Sequence, residues 1–245
     1  MNKHKETNCH ARKALFADGS RFLPLGALAV IAGFLCFAPA FAEARFLFFG
    51  KDKSPREIKA DQAVKKLKGS NSAERGRAAD ELMQMDKKRG VSEIKTALKK
   101  EKDDQAKKNM LNALGNSGDA EAIPDVKEHL SSGDRGVRLY AACALAALGD
   151  DSGLGELETV ITDAGESRGR RSFAIRSLGG IKTDAAVAVL ENVLKDGDFA
   201  IRLQAVSSLG KIGTSRALNT VKGMAGDKDE RVRDAAGNIL MRTEK

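Results

Sequence analysis

Asp198-Phe-Ala-Ile-Arg-Leu-Gln-Ala-Val-Ser-Ser-Leu-Gly210 opens on an acid, runs through small and apolar residues around a central arginine, and stops at a glycine. An acidic start, helical apolar spacing and a glycine stop predict one amphipathic helix. The phrase recurs. Asp229-Glu-Arg-Val232-Arg233-Asp-Ala235-Ala236 follows it, and Asp134-Arg-Gly-Val137-Arg138-Leu-Tyr-Ala141-Ala142-Cys-Ala144-Leu145 precedes it. The basic residue of each copy falls at Lys107, Arg138, Arg171, Arg202 and Arg233, in steps of 31, 33, 31 and 31. The leucine seven positions on (Leu114, Leu145, Leu178, Leu209, Leu240) moves in lockstep with it. Two landmarks sharing one period define a repeat array, in which no unit buries its apolar face without its neighbours.

A fainter copy lies at Ser72 to Leu82, and the two extra residues of the long step fall in the Gly- and charge-rich stretch Thr162 to Gly169. Between the phrases lie second apolar segments, at Ala120 to Leu130, Asp184 to Leu194 and Ser215 to Met224. Their apolar residues also recur at helical spacing. Asp119 and Asp184 stand where N-caps are expected. Each unit therefore reads as two helices joined by short Gly/Asp/Ser turns, with no strand alternation in the repeat region.

The phrase D-x-x-V-R-x-x-A-A-x-A-L, with A-I-P-D-V at Ala122 to Val126, resembles the short HEAT-like repeats first described in phycobilisome lyases. The resemblance covers Ser72 to the C-terminus. It departs at Ser167 and Arg170, which replace the acid and the valine, and at Lys107, which replaces the arginine. It implies an all-α, right-handed α-solenoid of about five stacked helix pairs. It also implies a hydrogen-bonded ladder between repeats, carried by Asp103, Lys107, Asp134, Arg138, Arg171, Asp198, Arg202, Asp229 and Arg233. An acid four residues before each cation caps the helix start and faces that cation one turn on. The rival for these cations is an anion-binding row.

Upstream, a basic head precedes the uncharged run Phe22 to Ala42, which ends Ala40-Phe41-Ala42. That pattern predicts a secretory signal peptide over residues 1–42, or alternatively a membrane anchor. Residues 43–56 read as a linker and 57–245 as the solenoid, with a helix from Ile58 to Leu67 forming the second half of a terminal capping unit. Either fate of the leader places the repeats outside the cytoplasm, periplasmic or extracellular, or anchored and facing outward. Glu43-Ala-Arg-Phe46-Leu-Phe-Phe49-Gly is expected to dock on the first repeat or stay unstructured, with a membrane surface as the alternative. Lys99 to Asp104 is expected to be a solvated turn.

Residues 43–245 hold 37 lysines and arginines against 32 acids, one histidine (His129) and one cysteine (Cys143). No metal, cofactor or catalytic constellation is expected from that equipment, and no internal disulfide. His129 is expected to gain from a helix-end dipole, and Cys143 to be a small buried hydrophobe. The mixed charge and the scarcity of aromatics after Phe49 argue against a nucleic-acid platform. A monomeric, non-enzymatic scaffold for a protein or peptide partner is expected. A bilin-lyase-like enzyme or accessory factor, drawn from the resemblance alone, is the alternative. The partner surface is assigned to the concave face, at positions one and five after each basic landmark: Lys108, Asn112, Ser172, Arg176, Ser207, Asp234 and Asn238, with Leu139, Cys143 and Leu203 in the same register.

Overall fold

The computed structural model describes residues 53–243, and within them every regular element is helical. The leader expected at 1–42 and the segment Phe46–Phe49 lie outside the described residues. In chain order the helices are α1 (Pro55–Leu67), α2 (Ser72–Met85), α3 (Lys87–Leu98), α4 (Asp104–Ser117), α5 (Ile123–Lys127), α6 (Arg135–Ala147), α7 (Leu154–Thr162), α8 (Arg168–Leu178), α9 (Asp184–Val193), α10 (Phe199–Ile212), α11 (Ser215–Gly223) and α12 (Glu230–Thr243). Single 3-10 turns flank α5, at Ala120–Ala122 and Glu128–Ser131.

The even-numbered helices are the phrase read from the sequence. They pack successively, α2 on α4, α4 on α6 and so on to α12, and the odd-numbered helices form the second layer. The result is an α-solenoid of six helix pairs: one for each of the five basic landmarks, and one for the fainter copy at Ser72. The helix before that copy is the first half of its own pair, not the second half of a cap, because α1 packs on α2. It also starts earlier than the linker boundary allowed. Ser54 and Glu57 form a reciprocal capping box ahead of Pro55, which satisfies the free N–H groups of the first turn.

The core follows the period. Leu114, Leu145, Leu178 and Leu209 are fully buried, while Leu240 in α12 is only partly so. The difference is positional, since no repeat stacks beyond α12 among the described residues. The inserted residues lie in the loop between α7 and α8. Helices α4 and α10 end on Gly118 and Gly213 at φ 62° and 67°, a left-handed geometry that glycine adopts without Cβ strain. Asp119 caps its 3-10 turn as expected, but Thr183 rather than Asp184 caps α9.

Candidate interaction surface

The recurring acid does not pair with the cation four residues on. Asp103, Asp134 and Asp198 are N-caps that accept backbone N–H groups of Ala106, Val137 and Ala200 at 2.8, 2.7 and 2.9 Å. The cation turns the other way. In Arg202, Nη1 donates back to the carbonyls of Asp196 and Gly197, at 2.9 and 3.1 Å, while Nε and Nη2 grip Asp227 of the next repeat at 2.8 Å each. Arg75 does the same with Gly69, Ser70 and Glu101. Arg171 reaches Asp196 and the Ile161 carbonyl. The partner acids lie two residues before an N-cap, in Glu101-Lys-Asp103, Asp196-Gly-Asp198 and Asp227-Lys-Asp229, and accept that cap's own N–H. The expected pairs Asp103/Lys107, Asp134/Arg138, Asp198/Arg202 and Asp229/Arg233 are thus corrected for a geometric reason. A side chain that caps N2 or N3 points along the helix axis, away from the i+4 flank.

The cross-repeat bond is missing where its acid is missing. For Lys107 the equivalent positions are held by Ser132 and Gly133, and it pairs with Asp104 instead. Arg138 turns to Glu156 at 3.3 Å, because Arg135 holds Asp163 at 2.6 Å. Arg233 donates to the Asp227 carbonyl at 2.8 Å. Glu101 is nearly inaccessible, its side chain 2% exposed, so within the turn at Lys99 to Asp104 it is part of the fold, while Lys99, Lys100 and Lys102 are exposed as expected. The recurring E/D-x-D triplet was the readable sign of this network.

On the exposed face of the even layer the helices bound a cleft of about 280 Å³. Its floor is the buried Gly115, Cys143 and Ala144, and its rim carries Asn112, Asn116, Tyr140, Ala147, Phe173, Arg176 and Lys211. The small floor residues let the helices come together: a Cβ on Gly115 would lie 2.7 Å from the Ala144 Cα. Tyr140 and Phe173 pack tilted with centroids 5.4 Å apart, and the Arg176 guanidinium sits over the Phe173 ring at 5.4 Å. Such a cation over an aromatic face is held in place without losing its charge.

Of the sequence-assigned face, Asn112 and Arg176 meet in this cleft. Ser172, Ser207, Asp234 and Asn238 do not line it. Ser207 returns its hydroxyl to the Leu203 carbonyl at 3.0 Å, and Lys108 approaches Asp134 at 3.9 Å rather than standing free. Leu139 and Cys143, in the same register, are buried, and Leu203 is partly so. Asn112, Asn116, Tyr140, Phe173, Arg176 and Lys211 sit two, five or nine positions after the basic landmark, a spacing that follows one helical stripe. Tyr140, Phe173, Asn116 and Lys211 fall outside the expected face because that face follows positions one and five only.

Burial pushes the Cys143 thiol up to about 12, outweighing its Ser177 and Arg176 neighbours. Burial, then the nearby Lys107 charge, lowers the His129 pKa, so the expected helix-end stabilisation of its cation is not what this site provides. Among the described residues no three His, Cys, Asp or Glu side chains gather as metal ligands, and no helix is long and apolar enough to cross a membrane.

The family model for HEAT repeats matches residues 60–146, 91–171 and 161–240. No curated protein matches the chain. Among solved structures, an engineered protein aligns at 21% identity over 76% of this chain and 96% of its own, with a TM-score of 0.52. A designed armadillo repeat protein aligns at 16% identity over 74% and 98%, with a TM-score of 0.50. The complex of CpcE and CpcF of phycocyanin lyase from a Nostoc species aligns at 19% identity over 80% and 98%, with a TM-score of 0.47. At these identities the likeness concerns the fold.

Proposed function

This chain belongs to the HEAT-repeat family, and on that footing we propose that it is a non-enzymatic scaffold that binds a protein or peptide outside the cytoplasm. The observation that carries the reading is the cleft between α4, α6, α8 and α10. It combines a floor of small side chains, two amides, a tilted aromatic pair and two cations, Arg176 and Lys211, with no carboxylate in its lining. Amides at Asn112 and Asn116 offer donors and acceptors to a peptide backbone. Aromatic and arginine side chains are the groups that most often anchor protein interfaces. Export rests on the basic head, apolar run and Ala40-Phe41-Ala42 of the leader.

A photo-cross-linking side chain placed at Asn116, and separately at Lys222 in the other layer, tests the surface. A protein adduct from position 116 and none from 222 is the expected result. Adducts from 222 alone would move the interface to the opposite layer. Once the partner is identified, Arg176→Ala should weaken its binding by about tenfold or more, in line with an interface anchor. The lyase alternative predicts covalent transfer of a bilin to an acceptor protein in the presence of this chain. The buried, strongly protonated Cys143 speaks against its serving as a thiolate carrier.

A further inference from the structure

The excess of positive over negative charge in this solenoid lies at one end. Residues 53–100, which make α1, α2 and α3, hold 14 lysines and arginines against 7 acids, while residues 101–243 hold 20 against 22. The basic end is an assembled surface. Asp61 of α1 accepts from Arg89 of α3 at 2.6 Å and pairs with Lys53, and Lys68 meets Glu93 at 2.7 Å, so α1 lies alongside α3. Those pairs occupy Asp61 and Glu93, the acids that lie between α1 and α3. Lys59, Lys65, Lys87 and Lys88 remain exposed, with no ion pair among the described residues. No helix precedes α1 among those residues. Its outer side also presents Ile58, 46% exposed and one of only two large apolar side chains left exposed in the described chain.

We propose that this end of the solenoid docks on an anionic lipid bilayer through α1 and α3, independently of the cleft. Three features favour a lipid surface over another polyanion. Apart from Arg77 on α2, the exposed unpaired cations are lysines, point charges on flexible stems that suit diffuse attraction to headgroups. The local arginines Arg56, Arg75 and Arg89 are already committed to protein oxygens. No aromatic residue occurs between 53 and 100, so the end offers no stacking platform for bases. Ile58 stands among the lysines. Apolar side chains beside snorkelling lysines are the composition of a surface that settles at the headgroup boundary.

The test is sedimentation of the full chain with phosphatidylcholine vesicles, with or without about 30 mol % phosphatidylglycerol, at about 50 and 300 mM salt. The variant Lys59→Gln/Lys65→Gln/Lys87→Gln/Lys88→Gln is compared with Lys182→Gln/Lys195→Gln/Lys222→Gln/Lys228→Gln, which removes equal charge from the far repeats. The expected result is a preference for anionic vesicles of at least about tenfold at low salt, since each basic residue near the surface adds about a fivefold factor. That preference should be lost in the first variant and kept in the control. Equal binding to both vesicle types, equal loss in both variants, or tighter binding of a single-stranded oligonucleotide than of the vesicles would each overturn the proposal. Unchanged helical circular dichroism in both variants establishes that any loss is one of charge and not of fold.

Discussion

Arg202 holds Asp227 with two parallel hydrogen bonds of 2.8 Å across 25 positions of sequence, and both side chains are at most 5% exposed. One contact therefore joins two repeats and ties down the loop carbonyls of Asp196 and Gly197. Taking one partner from a buried, doubly bonded pair strands the other charge. Arg202→Ala should destabilise by about 3–5 kcal/mol. Arg138→Ala, whose bonds to Glu156 are 3.3 Å long and more exposed, should cost roughly 1–2 kcal/mol. Urea midpoints give the order, and equal values would mean that the cross-repeat pair is not what separates the two sites.

The same network sets the acid limit. Arg202 lowers the Asp227 pKa, and Arg75 lowers that of Glu101, in each case chiefly through hydrogen bonds to the charged carboxylate. A carboxylate depressed in the folded state adds stability above its unfolded pKa, about 4, and loses it as pH falls through the folded value. The contribution of these carboxylates should therefore hold on the neutral side of about pH 5 and decline below about pH 4. The decline should be shallower in Asp227→Asn, measured by urea titration at a series of pH values.

His129 acts in a separate window. Its lowered pKa means that the unfolded chain binds the extra proton first, so stability should fall as pH drops through about 6.5 towards the folded value. His129→Gln should flatten the pH dependence between about pH 7 and 5 and leave the acid decline untouched. An unchanged slope in that variant would remove His129 as its source.

Cys143 should be silent in the native state. A thiol moved from 9.0 to about 12 holds about a thousandfold less thiolate at neutral pH, and thiolate is the reactive form. Iodoacetamide labelling followed by peptide mass analysis should modify Cys143 only after unfolding. Labelling in native buffer at the denatured rate would show the site to be open.

Two glycines of the even-helix layer should respond oppositely to alanine. A Cβ on Gly180, just after α8, would meet the Ala146 carbonyl oxygen at 2.1 Å, a collision with backbone that only separation of neighbouring repeats relieves. Gly237, inside α12, has open space around the added methyl. Gly180→Ala should lower the stability by more than about 2 kcal/mol, and Gly237→Ala should raise it by roughly 0.5–1 kcal/mol through helix propensity. Thermal unfolding of the two variants reads both signs.

Sequence alone settled the architecture here, because a period is a local and redundant signal. Five cations and five leucines moving together specify helix phase, repeat length and the place of the two-residue insertion. They also specify which face of each helix is buried, since burial follows spacing along one helix. What the tertiary structure decided was which partner each polar side chain takes. Asp198 stands four residues before Arg202, yet caps the backbone, while the arginine crosses to Asp227. Glu101 sits in a run of charges that reads as solvated, and is closed off by Arg75. Asn112 and Arg176, 64 positions apart, line one cleft with Tyr140 and Phe173, while Ser207 in the same register does not. Apolar burial is non-directional, and periodicity along one helix is enough to assign it. A hydrogen bond depends on angle and distance between side chains of different repeats, which the stacking of those repeats sets.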